Sequence, residues 1–389
     1  MSITTPRGFV AAGVAAGVKA SGALDLALVA TEDALPVPTA ATFTTNRAAA
    51  APVATSRAHL EATGGLAAAV IVNSGNANAA TGRQGLDDAV RMCTRTGELL
   101  GVAPEHVLVC STGLIGIPLP IAAVDAAIPA LVEARSGSAD SGVAAATAIL
   151  TTDSRRKEVE VAGAGWTVAG MAKGAGMLAP NMATMLAFLT TDGALDPRDA
   201  ARVLRHAVGR SFNVLTVDGC TSTNDTVVLM ASGRAGPADV DEVTEAVTAA
   251  CVDLAGQMAA DAEGASRVAH VRVRGARSDG EAQRAARQVA DSLLVKCSLN
   301  GGDPYWGRVL SELGASGVEL DVDRVSIAYG GVVVCRDGVE AAHDAAAVAA
   351  HLSGDLVEIG CDLGLGDGSG MVMTVDLGHG YLDENRTTS

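Results

Sequence analysis

The sequence predicts a mixed α/β fold, because stretches with helical spacing alternate along the chain with short apolar runs that are typical of buried strands. The clearest helix start is Asp196-Pro197, where a capping residue precedes a proline at the first helical position, and we expect this helix to run to about Val208. The longest amphipathic segment is Asp239–Ala260. One apolar stripe of this predicted helix contains Val243, Val247, Ala250, Cys251 and Leu254. These patterns predict the elements but not the order of strands in a sheet.

Short apolar runs predict the strands, and residues spaced for one helix face predict the remaining helices. We expect strands at Ala67–Asn73, His106–Cys110, Asp225–Ser232, Val268–Arg274, Arg324–Cys335 and Met371–Leu377, and another in the run TMLAFLTTD that begins at Thr184. Helices are expected at Leu86–Leu100, with Leu86, Ala89, Val90 and Cys93 on one face, and at Gly280–Leu293 and Val339–Leu352. The linker-like stretch Ser136–Gly142 is predicted to be a surface loop before a helix.

A chain of 389 residues is long enough to bury a sizeable core, and this length favours two domains. Hydrophobic residues make up 49% of the sequence and aromatic residues only 2%, so the core must be built from Ala, Val, Leu, Ile and Met. The net charge of −16 argues against nucleic acid or an anionic membrane as a partner.

Several patterns point to a soluble cytoplasmic protein. No uncharged apolar run approaches the ~18–20 residues that a membrane helix needs, and the N-terminus lacks the pattern of a secretory signal. The seven cysteines are scattered without a CxxC pair, which is typical of reduced thiols.

The sequence predicts no metal site and no cofactor. The seven histidines are dispersed and none belongs to an HExxH pattern. The stretch Gly364–Gly370, reading GLGDGSG, lacks the G-x-G-x-x-G spacing of a dinucleotide-binding loop and precedes a strand-like run. We therefore interpret it as a hairpin turn.

The stretch Lys173–Leu186, reading KGAGMLAPNMATML, places Thr184 after a turn rich in glycine and proline and at the start of an apolar run. A threonine in this position can attack the carbonyl group of the residue before it, and hydrolysis of the resulting ester would cut the chain between Ala183 and Thr184. The new α-amino group, with an ordinary pKa of about 7.7–8.0, can act as the base for the threonine hydroxyl. By these residues alone, an ordinary strand threonine is the more common interpretation.

The same stretch resembles the processing-site signature of the ornithine acetyltransferase family, the glutamate N-acetyltransferases. Other segments match in the family's order: NSGNANAATG, STGLIG, TTDSRRKE, TVDGCTSTNDT, AEGAS and GGDPYWGRVL. The resemblance covers nearly the whole chain. It implies an ornithine acetyltransferase-like fold in which β-sheets pack against helices, cut into an N-terminal segment of residues 1–183 and a C-terminal segment of residues 184–389.

The resemblance implies that Thr184 is both the cleavage residue and the nucleophile that carries the acyl group. It also implies that the Thr112 side chain and the Gly113 N–H form the oxyanion hole of the tetrahedral intermediate. Ser-Thr-Gly at 111–113 directly follows a predicted strand, where both donors can point out of the strand end. Without the resemblance, an ordinary turn is the alternative.

The resemblance further implies a set of residues that bind an amino-acid substrate, which requires a fixed cation and a fixed carboxylate. These residues are Thr152, Lys173, Thr184, Glu263, Asn385 and Ser389. By sequence alone, Lys173 and Glu263 could be solvated surface residues and Thr152 a helix-to-loop cap. Thr388 could take the place of Ser389.

The resemblance implies ping-pong transfer of acetyl from N-acetylornithine to glutamate through an acetyl ester of Thr184, without a cofactor. The reaction belongs to arginine biosynthesis, with a specialised pathway as the alternative that the sequence leaves open. The resemblance also implies a heterotetramer of two N-terminal and two C-terminal chains, or a larger assembly of them, with no nucleic-acid or membrane partner. Three alternatives remain open: a bifunctional enzyme that also uses acetyl-CoA, a related self-processed hydrolase or aminopeptidase, and an uncut ligand-binding protein of the same fold.

Overall fold

A computed structural model describes residues 1–178 and 185–386, which cluster into two units. Unit 1 comprises Met1–Asn213 and Cys220–Met258, and unit 2 comprises Val214–Gly219 and the described residues from Ala259 onward. The segment that begins at Thr184 therefore contributes to both units, so the unit boundary is not the predicted cleavage point.

Unit 1 contains ten strands and six helices among its described residues. The strands are β1 (Phe9–Val14), β2 (Leu26–Thr31), β3 (Val37–Phe43), β4 (Leu66–Ala67), β5 (Ala69–Asn76), β6 (Val107–Leu114), β7 (Lys157–Ala162), β8 (Thr167–Lys173), β9 (Leu186–Ala194) and β10 (Thr226–Pro237). The helices are α1 (Ala51–Thr63), α2 (Gly82–Leu100), α3 (Ile121–Glu133), α4 (Ala139–Ala148), α5 (Pro197–Arg210) and α6 (Val240–Ala259).

The strands of unit 1 form two sheets. Sheet 1 has the order β1-β2-β5-β6, with β5 and β6 parallel and the other neighbours antiparallel. Sheet 2 has the order β4-β3-β10-β9-β8-β7, and in it only the central pair β9 and β10 is parallel.

Both faces of sheet 1 are buried, which makes unit 1 a layered structure. One face packs on α2 and α3, through residues such as Ile71, Met92 and Ile128. The other face packs on sheet 2 and α4, through residues such as Val72 and Phe188. Helix α5 contacts β3 and β10, and α6 contacts β7 and β8, so these helices cover sheet 2.

Unit 2 packs helices on a third sheet. Its described strands are β11 (Val268–Ala276), β12 (Ser326–Tyr329), β13 (Val332–Arg336), β14 (Val339–Glu340), β15 (Leu356–Asp362) and β16 (Gly368–Val375). Its helices are α7 (Asp279–Asp291), α8 (Leu293–Gly301), α9 (Trp306–Ala315), α10 (Ala345–Leu352) and α11 (His379–Glu384). The strand order is β14-β13-β12-β15-β11-β16. Alanines and valines of β11 and α7 dominate its core, together with residues of α8, α9 and α10.

The local signals in the sequence predicted several elements well. Asp196 caps α5, since its Oδ1 accepts the Asp199 N–H at 2.7 Å. Helix α6 buries the whole predicted stripe, and the cores consist mainly of small aliphatic residues, as the composition predicted. Within the described residues, no helix combines the length and the apolar character needed to cross a bilayer.

Four predictions about elements were wrong in detail. Val339–Leu352 contains β14 and then α10, and the predicted strand Arg324–Cys335 is split into β12 and β13 by Gly330 and Gly331, whose φ angles are 56° and 83°. The predicted loop Ser136–Gly142 already contains the start of α4, which Ser138 caps. On α2 the buried face includes Met92 and Thr96, while Leu86 and Val90 are exposed.

The GLGDGSG stretch does not form a hairpin turn, because the strands on either side of it, β15 and β16, are not neighbours. Both pair with β11, one on each side, so the connection crosses this strand.

Candidate active site

Thr112 and Gly113 lie within the last stretch of sheet pairing between β5 and β6, rather than in a separate turn after the strand. Thr112 is opposite Ser74 and Gly113 is opposite Gly75. Gly113 has a φ of 131°, and a Cβ atom there would lie 2.3 Å from the carbonyl carbon of Gly75. Only glycine fits this close approach, so the local packing itself explains the glycine at position 113.

A buried asparagine holds this strand end against the start of sheet 2. The Asn224 Nδ2 group donates to the Ser111 carbonyl oxygen at 2.8 Å and to the Ala77 carbonyl oxygen at 2.6 Å. The Ser111 hydroxyl in turn donates to Asn73 Oδ1 at 2.6 Å. These hydrogen bonds hold the backbone next to Thr112 in place, and the predicted oxyanion hole would require such a fixed backbone.

Lys173, at the end of β8, contacts Thr112 directly. Its Nζ donates to Thr112 Oγ1 at 3.3 Å, and the Lys173 side chain is 3% exposed. An ammonium group can donate hydrogen bonds but cannot accept them, so Thr112 Oγ1 is the acceptor of this bond. The Thr112 hydroxyl hydrogen is then directed elsewhere and can be donated to a ligand oxygen.

A buried carboxylate balances the charge of Lys173. Asp153 Oδ2 lies 3.9 Å from Lys173 Nζ, and Asp153 Oδ1 accepts from Lys157 Nζ at 2.7 Å and from the Gly174 N–H at 2.7 Å. Burial alone would raise the pKa of Asp153, but the charges of Lys173 and Lys157 and the hydrogen bonds lower it to about 2. Asp153 is therefore ionised at neutral pH and bridges two buried lysines.

Thr152 lies beside this network but is exposed, in the bend between α4 and β7. Its backbone neighbour Thr151 donates an N–H to Asp153 Oδ2 at 3.1 Å. The structure thus brings Thr152 to the rim of the network and not into it.

The predicted nucleophile Thr184 and the preceding Ala183 lie outside the described residues, but the chain on both sides is placed. Before the gap, Met177 lines a small cleft together with Thr112, Gly113 and Thr223. After the gap, the Met185 N–H donates to Asp225 Oδ1 at 2.9 Å. The first residue of the predicted processing motif, Lys173, therefore contacts Thr112. The first described residue after the gap, Met185, contacts the start of β10.

Two further predicted residues contact each other in unit 2. Asn385 Nδ2 donates to Glu263 Oε2 at 2.9 Å, and Glu263 is half-buried. The Gly264 N–H donates to Glu384 Oε1 at 3.1 Å, and a Cβ atom at Gly264 would lie 2.0 Å from the Tyr381 nitrogen. Close backbone approach thus docks α11 on the AEGAS segment. Ser389 and Thr388 lie outside the described residues.

The sequence interpretation missed four buried polar residues: Asp153, Lys157, Asn224 and Asp225. They lie in the TTDSRRKE and TVDGCTSTNDT segments, where the resemblance implies no role for these four positions. The i, i+4 spacing of Asp153 and Lys157 was the only signal of their pairing. Among the described residues, no group of His, Cys, Asp and Glu is arranged to hold a metal ion.

Comparisons with known proteins cover the whole chain. It matches the ArgJ family over residues 10–387. It is 46% identical to the arginine biosynthesis bifunctional protein ArgJ of Mycolicibacterium paratuberculosis, over 100% of this chain and 96% of that protein. The protein of the same description from Thermobifida fusca is 44% identical, over 100% of both chains. A solved structure of the ornithine acetyltransferase of Mycobacterium tuberculosis, in complex with ornithine, is also similar. The match has 46% sequence identity and a TM-score of 0.44, and it covers 46% of this chain and 94% of the solved chain.

Proposed function

This chain belongs to the ArgJ family, and from that membership we propose that it transfers an acetyl group from N-acetylornithine to glutamate, giving ornithine and N-acetylglutamate in arginine biosynthesis. It is an acetyltransferase. The nucleophile is Thr184, which becomes an N-terminal residue when the chain cuts itself between Ala183 and Thr184.

In the first half-reaction, the Thr184 amine takes the proton of its own hydroxyl. The hydroxyl oxygen bonds to the acetyl carbon, the bond from that carbon to the ornithine nitrogen breaks, and the proton passes to the departing amine. The negative oxygen of the tetrahedral intermediate accepts from the Thr112 hydroxyl and the Gly113 N–H. In the second half-reaction, the glutamate amine attacks the ester and restores the hydroxyl.

The observation that carries this proposal is the contact of 3.3 Å between Lys173 Nζ and Thr112 Oγ1. It connects the first residue of the processing motif to the predicted oxyanion hole. The substrate's α-carboxylate is attached to the same carbon as the acetylated nitrogen, so a cation beside the oxyanion donor can bind it. Lys173 thereby orients Thr112 and holds the substrate, with Thr152 at the rim of the same network.

The contact between Glu263 and Asn385 supports the assignment of both residues to substrate binding. The Glu263 carboxylate can accept from the ammonium group of ornithine, and the Asn385 amide, which donates to Glu263 Oε2 and to the Tyr381 carbonyl oxygen, holds that carboxylate in place. We assign Ser389, at the end of the chain, to the same substrate set. We further propose that the enzyme acts in the cytoplasm as a heterotetramer of two N-terminal and two C-terminal chains, or as a larger assembly of them.

A bifunctional enzyme that also accepts acetyl-CoA is the second candidate. It is favoured by the description of the curated relatives as bifunctional proteins. Incubation with acetyl-CoA and glutamate, without acetylornithine, tests it: N-acetylglutamate forms only if acetyl-CoA is a donor.

The ping-pong mechanism predicts a covalent intermediate that can be isolated. When the purified enzyme is mixed with N-acetylornithine alone, we expect release of one ornithine per active site, and the chain that begins at Thr184 gains the mass of one acetyl group. Intact-mass spectrometry measures both. Glutamate should discharge the ester far faster than water does. An ester that water discharges as fast would instead indicate a hydrolase, and absence of any acetylated chain would contradict the mechanism.

Thr112→Val should lower kcat by about 10²–10³-fold, because removal of one oxyanion donor has an effect of this size. Valine keeps the shape of threonine but has no hydroxyl group. Steady-state assays of ornithine release measure the effect, and Thr112→Ser is the control, since it keeps the hydroxyl. Equal kcat for the valine variant and the wild type would contradict the assignment of Thr112 to the oxyanion hole.

A further inference from the structure

The chain has four lysines, and the structure places each of them inside the protein or half inside it. Lys157 and Lys173 belong to the Asp153 network, and Lys296 is buried in unit 2. Lys19, in the loop between β1 and β2, is half-buried. An ammonium group that is partly removed from water needs hydrogen-bond acceptors or an opposite charge beside it.

Hydrogen bonds fix the loop that carries Lys19. Its backbone N–H donates to Asp25 Oδ2 at 2.8 Å, and the same oxygen accepts the Val18 N–H at 2.7 Å. Asp25 Oδ1 accepts the Ala16 N–H. At the end of the Lys19 side chain, Nζ donates to the Leu24 carbonyl oxygen at 2.9 Å. Both the backbone and the ammonium group of Lys19 are therefore held by the loop itself.

The ammonium group of Lys19 retains hydrogens that a ligand can use. An ammonium group has three N–H donors. Lys296 uses all three of its donors, on two backbone carbonyl oxygens and the Thr374 hydroxyl. In contrast, Lys19 Nζ donates to one acceptor among the described residues, the Leu24 carbonyl oxygen. A carboxylate is the strongest partner for the donors that remain.

The side chain of Lys19 packs on the strand end that carries the predicted oxyanion hole. A Cβ atom at Gly75 would lie 3.0 Å from Lys19 Cγ, so the bare glycine backbone leaves room for the lysine stem. Gly75 lies opposite Gly113 in the parallel pairing of β5 and β6. Neighbouring strands are about 4.8 Å apart. The stem of Lys19 therefore lies one strand away from Gly113.

The charges of the candidate site act on Lys19. Burial lowers the pKa of Lys19 from its ordinary value, and the negative charge of Asp25 opposes this effect. The charge of Lys173 lowers the same pKa and the charge of Asp153 raises it. Charge interactions are screened over about 10 Å at moderate salt, so Lys19 lies in the same neighbourhood as Lys173.

We propose that Lys19 binds the side-chain carboxylate of the glutamate acceptor, a role that rests on the proposed function. N-acetylornithine has one carboxylate, whereas glutamate has two. Lys173, beside Thr112, accounts for the α-carboxylate that the two substrates share. Carbon–carbon bonds of about 1.5 Å keep the two carboxylates of glutamate within about 5 Å of each other. The acceptor therefore requires a second cation close to the first, and Lys19 supplies it.

Lys19→Met tests this role in the full chain, because methionine keeps the apolar stem but has no charge. The enzyme is loaded with acetyl by N-acetylornithine, and its discharge by glutamate or by glutamine is followed in a single turnover by intact-mass spectrometry. Glutamine has the shape of glutamate but a neutral side chain. We expect the second-order rate constant for glutamate to fall by about 10–100-fold, as for loss of a hydrogen bond to a charged group. The rate constant for glutamine should change by less than about threefold.

The comparison of the two acceptors separates a binding role from a structural one. A lysine that only supports the loop would affect glutamate and glutamine alike, so equal losses would overturn the proposal. An unchanged rate constant for glutamate would overturn it as well. If Lys19→Met does not fold, Lys19→Gln is judged by the same criteria, since its amide can still donate to the Leu24 carbonyl oxygen.

Arg83→Met is the control for net charge, because it removes one positive charge from a side chain of unit 1 that is 89% exposed. The preference for glutamate over glutamine should remain that of the wild type. A loss of preference as large as that of Lys19→Met would show a general effect of charge and overturn the proposal.

The wild-type enzyme distinguishes failure of this proposal from failure of the proposed function. If N-acetylornithine does not load the wild type with acetyl, the proposed function itself is wrong. If the wild type is loaded and glutamate discharges it, an unchanged preference for glutamate in Lys19→Met refutes only the role of Lys19.

Discussion

Thr184→Ala is expected to yield a single uncut chain of 389 residues that transfers no acetyl group. Without the hydroxyl group, the carbonyl of Ala183 has no attacking oxygen, and the later acetyl ester has no residue to form on. Removal of a single atom, the hydroxyl oxygen of Thr184, should therefore abolish both self-cleavage and transfer. Denaturing gel electrophoresis and intact-mass spectrometry measure the cut, and ornithine release measures the transfer.

Thr184→Ser is the matched control, because it keeps both a hydroxyl group and, after cutting, an N-terminal amine. We expect this variant to be cut into one chain of residues 1–183 and one of residues 184–389, and to retain transferase activity. Residual cutting or transfer by the alanine variant would contradict the central proposal for Thr184.

Lys157→Met is expected to destabilise unit 1 by about 3–5 kcal/mol, because it leaves a buried carboxylate without its closest charge partner. The side chains of Lys157 and Asp153 are both 0% exposed, so water cannot take the place of the ammonium group. Urea unfolding, followed by the fluorescence of the buried Trp166, measures the free energy of unfolding. The comparison is made in the Thr184→Ala background, where the protein is one covalent chain.

Arg156→Met is the control for this variant, since it removes a neighbouring positive charge that is 42% exposed and paired with Glu158 at 3.0 Å. An exposed ion pair of this kind contributes at most about 1 kcal/mol. Equal losses in the two variants would show that burial of the Asp153 network has no special energetic effect.

The effect of Lys157→Met should also depend on pH, with a sign set by Asp153. The folded state lowers the pKa of this carboxyl group from an ordinary value of 3.8 to about 2. Its contribution to stability is therefore complete above about pH 4 and is lost as the pH falls toward 2. We expect the difference in unfolding free energy between wild type and variant to be largest at pH 7 and to narrow at pH 3.

The elements that the sequence predicted correctly have their signals within a few residues. Asp196 and Pro197 mark the start of α5 by capping chemistry alone, and the stripe from Val243 to Leu254 marks the buried face of α6. Strand order has no such signal, since sheet 2 pairs β3 with β10 across a long stretch of chain. The hairpin at Gly330 was missed because apolar residues continue on both sides of the glycines.

For the candidate site, the resemblance named Thr112, Lys173, Glu263 and Asn385 one by one but could not show which of them touch. The contacts of Lys173 with Thr112 and of Asn385 with Glu263 join residues far apart in sequence. Asp153 and Asp225 were missed for a different physical reason. A charged residue in a polar segment is usually solvated, and only the packed structure shows that these two carboxyl groups are buried.

The arrangement of sheet 2 has a consequence for the two chains that the proposed cleavage would produce. Strands β3, β4, β7 and β8 precede the proposed cleavage point, while β9 and β10 follow it and lie in the middle of the sheet. The two product chains would thus be joined by two strand pairs inside the sheet, β8 with β9 and β10 with β3. Neither chain could dissociate unless these pairs were broken. Refolding of the uncut chain is unimolecular, whereas two separated product chains must first find each other, at a rate that falls on dilution. If the chain is cut as proposed, the sheet would be assembled once, before the cut, and the cut protein would be preserved by its barrier to unfolding.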